Sequence, residues 1–256
     1  MADDPLKVWL EREGALLRLR LARPKANIVD AAMISALRAA FAAHRGNSGL
    51  LAALLDAEGP HFSFGASVEE HLPENCAEML RSFHALLGAV LEWPKPILVA
   101  IRGQCLGGGL ELALAGTLIF AARDAVFGQP EMKLGVFAPA ASVLLPARIG
   151  QAHAEDLLHS GRSIEAPPAQ AWGLAAALAE DPAAAALEYF DAHLAPKSAA
   201  SLGFGVQAVR SDFAAAANKR LLIVERLYLE ELMKTHDAAE GLNAFLAKRQ
   251  PRWEHR

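Results

Sequence analysis

Gly107-Gly108-Gly109 runs directly into Glu111, and a second glutamate, Glu131, follows twenty positions later inside Phe127-Gly128-Gln129-Pro130-Glu131. A triple glycine that ends a strand at 97–102 and opens a helix at 110–115 leaves backbone N–H groups unpaired at the positive end of that helix. This is a setting for an oxygen that gains negative charge. A second donor is offered by His61-Phe62-Ser63-Phe64-Gly65-Ala66-Ser67, where Gly65 permits an unusual backbone turn. If the N–H groups of Ala66 and Gly108 converge, they hold an acyl oxygen as it becomes an enolate, and losing one such donor typically costs about 10²–10³ in rate. Singly, each glycine segment reads as a ligand-free tight turn, Glu111 as a helix-dipole carboxylate and Glu131 as a solvated loop residue. In one apolar cleft the two carboxylates oppose each other's ionisation. One then stays protonated as an acid while the other serves as base, and their titration is shared.

Other chemistries lack their residues. There is no Gly-x-Ser-x-Gly elbow, no Gly-x-Gly-x-x-Gly, no lysine after the glycines to hold a phosphate and no His-Glu-x-x-His. His153 and His159 stand six apart, a spacing that does not make them neighbours on one helix face, so no metal site is expected. Ser67 and Ser142 have no base nearby. Cys76 and Cys105 are too few for a disulfide framework and read as buried packing residues in a reducing compartment.

The elements that must position these groups follow from periodicity. Leu17, Leu19 and Leu21 alternate with Arg18 and Arg20, the pattern of a strand with one wet face, and Glu13-Gly14 turns it into a hairpin with the run from residue 7. Asp30 caps a helix to His44, and the apolar run 50–55 reads as a strand buried on both faces. A loop at 57–73, a helix at 75–93 and a strand at 97–102 complete another β-α-β unit. Strands are expected at 117–122 and 125–127, then helix over 139–160 with a break at Gly150. Alternation of this kind predicts an α/β core with a mixed or parallel sheet. Past Ser163 the strand signal nearly vanishes and the chain reads as helical, ending in a long helix over 218–236. Its Leu221, Leu222, Val224, Leu227, Tyr228, Leu229 and Leu232 exceed one core-facing stripe. A boundary near residue 195 divides a core, 1–195, from a helical region, 196–256, that is not expected to fold apart.

With 256 residues and 53% hydrophobic composition the chain can bury a full core, while a net charge of −4 provides no general field for nucleic acid or an anionic membrane. The N-terminus lacks an apolar leader and no apolar run reaches a membrane span, so a cytoplasmic protein acting on a small molecule is expected.

Five stretches carry a family resemblance: Arg23-Pro24-Lys25-Ala26-Asn27, Phe64-Gly65-Ala66, the block from Gly103 to Ala113, Phe127-Gly128-Gln129-Pro130-Glu131 and Phe245-Leu246-Ala247-Lys248-Arg249. In order and spacing they resemble the crotonase, or enoyl-CoA hydratase, superfamily nearly end to end. The resemblance implies an α/β crotonase (ClpP/crotonase-like) spiral of ββα units with a helical C-terminal trimerisation region, in a trimer or dimer of trimers. It also implies a coenzyme A thioester as substrate and no cofactor besides. Carried over by position, Ala66 and Gly108 supply the oxyanion hole, Glu111 holds and activates water, and Glu131 exchanges the proton on carbon. Lys25 and Ala26 would lie along the CoA path, Lys248 would reach CoA in its own or a neighbouring subunit, and Phe64, Ser67 and Phe137 would contact the substrate.

Ser67 stands where ordinary members tend to have Asp, and Ala138-Pro139-Ala140-Ala141-Ser142 replaces a glycine-rich turn. Within 61–71 and 132–139 these variants resemble the cyclohexa-1,5-diene-1-carbonyl-CoA hydratases of anaerobic benzoyl-CoA degradation. That resemblance implies a cyclic dienoyl substrate, whose second double bond extends the enolate so that water can add at a remote carbon. Phe62, Phe64, Val136 and Phe137 are the expected ring walls. The alternatives are a straight-chain enoyl-CoA hydratase or isomerase and, from another class, a non-catalytic CoA- or RNA-binding member. The two glutamates speak against silence and the acidic balance against RNA.

Overall fold

The computed structural model describes residues 4–256. Strands β1 (Leu6–Glu11) and β2 (Leu16–Leu21) form the antiparallel hairpin, with Leu6 opposite Leu21 and Glu11 opposite Leu16. β2 then runs parallel to β3 (Ala52–Ala57), β3 to β4 (Ile97–Ile101) and, after the second-sheet strand β5 (Gln104–Leu106), β4 to β6 (Leu118–Ala122). Two further second-sheet strands, β7 (Val126–Gly128) and β8 (Ser163–Glu165), precede β9 (Ala177–Ala179), which closes a six-stranded sheet of order β1-β2-β3-β4-β6-β9. The second sheet has the order β5-β7-β8, with β5 parallel to β7 and β7 antiparallel to β8.

Helices α1 (Ala31–His44) and α2 (Cys76–Leu91) fill the crossovers. Asp30 caps α1 by accepting from the Met33 N–H at 2.9 Å, which satisfies one of the orphan donors of the first turn. α3 (Gly108–Leu114), α4 (Pro139–Ile149) and α5 (Gln151–Ser160) follow, then α6 (Ala166–Ala171) and α7 (Pro182–Tyr189). The main core joins Leu17, Leu19 and Val99 to Phe41, Phe83 and Leu87. On the other face of the sheet Leu54, Leu98 and Phe120 pack on Ala186, Phe190 and Leu194. Strands β3 and β4 are therefore covered twice, which is why their sequences are continuously apolar.

That second layer corrects the wet-face reading of β2. Arg18 is buried and ion-paired to Asp56 at 2.5 Å, because the face it occupies is covered. Strand β3 sits two residues later than expected. β5, β8 and β9 were not anticipated: three-residue strands are too short for a period, and Ala177-Leu178-Ala179 reads as helix. The C-terminal helix is also longer than expected. α8 spans Ala199–Arg226 and continues through a π turn, Leu227–Glu231, into a 3₁₀ turn, Leu232–Lys234, before α9 (His236–Leu246). Among the described residues no helix is long and apolar enough to cross a membrane.

Candidate active site

The site begins where residues 61–66 run beside β5 like an extra strand. Phe62 N–H donates to Arg102 O at 2.9 Å, Ser63 N–H to Gln104 O at 3.0 Å and Leu106 N–H to Ser63 O at 3.0 Å. Buried Asn27 pins the loop from the other side, its amide donating to Glu58 O and His61 O at 2.9 Å, while Val29 N–H donates to Gly65 O at 2.9 Å. These bonds carry Ala66 to the start of α3. β5 therefore supplies the rail missing from the expectation that the glycines follow strand 97–102 directly.

The Gly107 N–H bonds to Gly128 O at 3.0 Å, and Gly107 adopts φ 49°, ψ −129°, a conformation open to glycine. A Cβ here would stand 2.6 Å from Glu131 Oε1, and one on Gly108 would stand 3.1 Å from Ala66 N. Neither Ala66 N–H nor Gly108 N–H has a hydrogen-bond partner among the described residues. Two free donors thus lie at one place, at the N-terminus of a helix, with a carboxylate touching the turn between them.

Glu111, 5% exposed on α3, accepts from the Ala141 N–H at 2.7 Å, so the start of α4 fixes its carboxyl. Burial pushes its pKa up to about 7, against the N–H groups of Ala141 and Ala140, which hold it down. Glu131 lies on a 3₁₀ helix, Pro130–Leu134, rather than in an irregular loop. Burial, then the charge of Glu111, push it up to about 8, its own N–H opposing. The buried Gln129 amide lies against the two carboxyl oxygens of Glu131; with its nitrogen turned toward them it donates at 3.0 and 3.2 Å, a contact that opposes the upward shift. Two carboxyls so placed share protons near neutral pH, which is what an acid and base pair requires.

Both face one cavity of ≈ 330 Å³ whose walls include Ala66, Gly108 and Phe64 together with Met79, Leu80, Phe83, Val136, Leu242 and Phe245. The structure thus brings together Glu111, Glu131, Ala66, Gly108, Phe64 and Val136. Phe62 is in the main core and Phe137 stands behind the cavity wall, edge-on to Tyr228 at 5.4 Å, so neither forms a ring wall. Ser67 spends its atoms on the local turn, Oγ accepting from Glu70 N–H at 3.4 Å and O bonding the His71 ring at 2.7 Å. Lys25 is exposed, and the Ala26 carbonyl accepts from the Phe64 N–H at 2.9 Å. Lys248 is exposed three residues beyond Phe245, which lines the cavity of its own chain. Gln129 and Phe245, although inside the stretches that carry the resemblance, and His71, Met79, Leu80, Phe83 and Leu242 were given no role in the site from sequence. Most carry only the signal of ordinary core residues.

The profile of the family described as enoyl-CoA hydratase/isomerase matches residues 11–256. The chain belongs to this family. A cyclohexa-1,5-dienecarbonyl-CoA hydratase of Thauera aromatica is 65% identical over 255 residues, 100% of this chain and 99% of that one. A probable enoyl-CoA hydratase of Bacillus subtilis is 31% identical over 92% of this chain and 94% of its own. Among solved structures, an enoyl-CoA hydratase/isomerase from Pseudoalteromonas atlantica T6c superposes with a TM-score of 0.86 at 27% identity, covering 97% of this chain and 99% of that one. The architecture is the crotonase fold of the enoyl-CoA hydratase/isomerase family, with two sheets and a helical C-terminal region.

Proposed function

We propose that this family member hydrates cyclohexa-1,5-diene-1-carbonyl-CoA to 6-hydroxycyclohex-1-ene-1-carbonyl-CoA, a step in anaerobic benzoyl-CoA degradation. The observation that carries the reading is a single, mostly apolar cavity in which two free backbone N–H groups and two proton-sharing glutamates meet. The choice of acyl group is supported by the 65% identical relative of that name.

In this reading the N–H groups of Ala66 and Gly108 bind the thioester oxygen. One glutamate takes a proton from water as the water oxygen bonds to the ring carbon β to the carbonyl, and the displaced electron pair moves onto the thioester oxygen. The resulting dienolate spreads over the second double bond, and the other glutamate, protonated, gives its hydrogen to the far end of that system, so the remote carbon takes the hydrogen of the added water and not its hydroxyl. The ring gains one hydroxyl and one hydrogen, one double bond remains, and the pair returns to its starting proton count. The family resemblance assigns water to Glu111 and the carbon-bound hydrogen to Glu131. The two N–H groups act where charge develops, so their contribution falls on the rate rather than on binding alone.

The protein needs no resident cofactor in this reading, since coenzyme A arrives with the substrate, and it acts in the cytoplasm as a trimer or dimer of trimers built through residues 196–256. Exposed Phe204, Val209, Leu222 and Ile223 on α8 support that assembly. Incubation with the dienoyl thioester in water enriched in heavy oxygen should place the label in the ring hydroxyl. Higher efficiency on crotonyl-CoA than on the cyclic diene would reject the cyclic substrate in favour of a straight-chain one.

A further inference from the structure

His71 stands on the cavity wall, yet the hydration just described does not use it. It closes a 3₁₀ turn, Glu69–His71, in the segment that also presents Ala66. Its Nδ1 lies 2.7 Å from the Ser67 carbonyl, an acceptor only, so Nδ1 carries the hydrogen and Nε2 of the neutral ring is an acceptor. Burial lowers its pKa more than the Ser67 carbonyl raises it, which favours that neutral form. Nε2 has no hydrogen-bond partner among the described residues, and the cavity that His71 lines is walled mostly by apolar side chains, among them Val68, Met79, Leu80 and Phe83, with Glu111, Glu131 and Lys133 as its charged members. An unpartnered acceptor on a mostly apolar wall loses its water when the cavity fills, and a ligand that brings a donor to it offsets that loss.

The dienoyl ring carries no hydrogen-bond donor, whereas the hydrated ring carries one hydroxyl. We propose that His71 Nε2 accepts a hydrogen bond from the hydroxyl of the hydrated acyl group, making His71 a specificity-determining residue of the acyl pocket. The inference rests on the proposed hydration, because that reaction supplies the hydroxyl. The pocket then discriminates a hydroxylated six-membered ring from the same ring without oxygen, through one neutral imidazole rather than through shape.

The test compares binding of 6-hydroxycyclohex-1-ene-1-carbonyl-CoA with cyclohex-1-ene-1-carbonyl-CoA by titration calorimetry. Wild type is expected to favour the hydroxylated thioester by about tenfold. His71→Leu should abolish that preference without weakening binding of the deoxy thioester, and His71→Gln, which keeps an acceptor, should restore part of it. A wild type without preference, or a preference unchanged in His71→Leu, overturns the assignment. Because the readout is binding, it decides about His71 even if the wild type fails to hydrate the diene, a failure that would count against the proposed reaction alone.

Discussion

Glu111 and Glu131 reach one cavity from different elements, and burial raises both before either meets the other's charge. Replacing either by Gln preserves size and removes proton exchange. Each variant should keep thioester binding by calorimetry while its turnover falls by about 10²–10⁴. The pair also predicts the pH profile. Below the first shared titration both carboxyls are protonated and the base is lost, and above the second both are ionised and the acid is lost, so kcat/KM should be bell-shaped around neutral pH. For stability the sign is opposite to that of a salt-bridged carboxylate. Folded-state values raised to about 7 and about 8 mean that the native state holds more protons than the unfolded chain. Stability from these groups is therefore complete below the ordinary carboxylate range and is lost as pH rises through 7 and 8. Thermal melts should show wild type losing more between pH 6 and pH 9 than the Glu111→Gln, Glu131→Gln double variant.

Among the elements, the 3₁₀ helix bearing Glu131 is held from behind by α9. Gly241 lies so close to Leu134 that a Cβ there would run into its carbonyl, and Trp253 from the C-terminal segment packs beside Gly135. The segment is laced down by Asp237, which accepts from Glu254 N–H at 2.8 Å and His255 N–H at 2.7 Å. Gly241→Ala should displace Glu131 from Gly107 and cost about 10²-fold in kcat, the scale of an ångström misplacement. Steady-state kinetics beside a thermal melt separates that from unfolding. On α8, Glu225 is bonded to buried His84 of α2 at 2.7 Å and so ties the C-terminal region to the core. Glu225→Leu strands the His84 donor and should cost about 1–3 kcal/mol in urea denaturation, whereas Glu225→Gln, which retains an acceptor, should cost less.

At the scale of the whole molecule, α8 leaves large apolar side chains in water, with Phe204 72% and Val209 82% exposed. We propose that a second copy of the chain covers this face, since exposed apolar patches of this kind mark association surfaces. Phe204→Glu combined with Leu222→Glu should leave the protomer folded and reduce the mass measured by light scattering from that of a trimer or hexamer. An unchanged mass would place the interface elsewhere.

The amino-acid order alone determined what is local or chemically singular. The hairpin follows from leucine alternation, α1 from its Asp30 cap, the buried strands from unbroken apolar runs, and the proposed acid–base chemistry from glycines beside glutamates. Arg18 was misread because alternation reports two faces without telling whether a later layer, here α7 and the turn after it, covers the second. β5, β8 and β9 were invisible because three residues carry no period; they become strands only through partners distant in the chain. The same limit applies to the site. Family resemblance and composition marked Phe62 and Phe137 as ring walls, yet the structure turns both into supporting layers and seats Met79, Leu242 and Phe245 at the cavity instead. Residue type records which groups can do the chemistry, whereas the packing of α2, α9 and the second sheet decides which of them share a cavity, because that depends on long-range contacts no local pattern encodes.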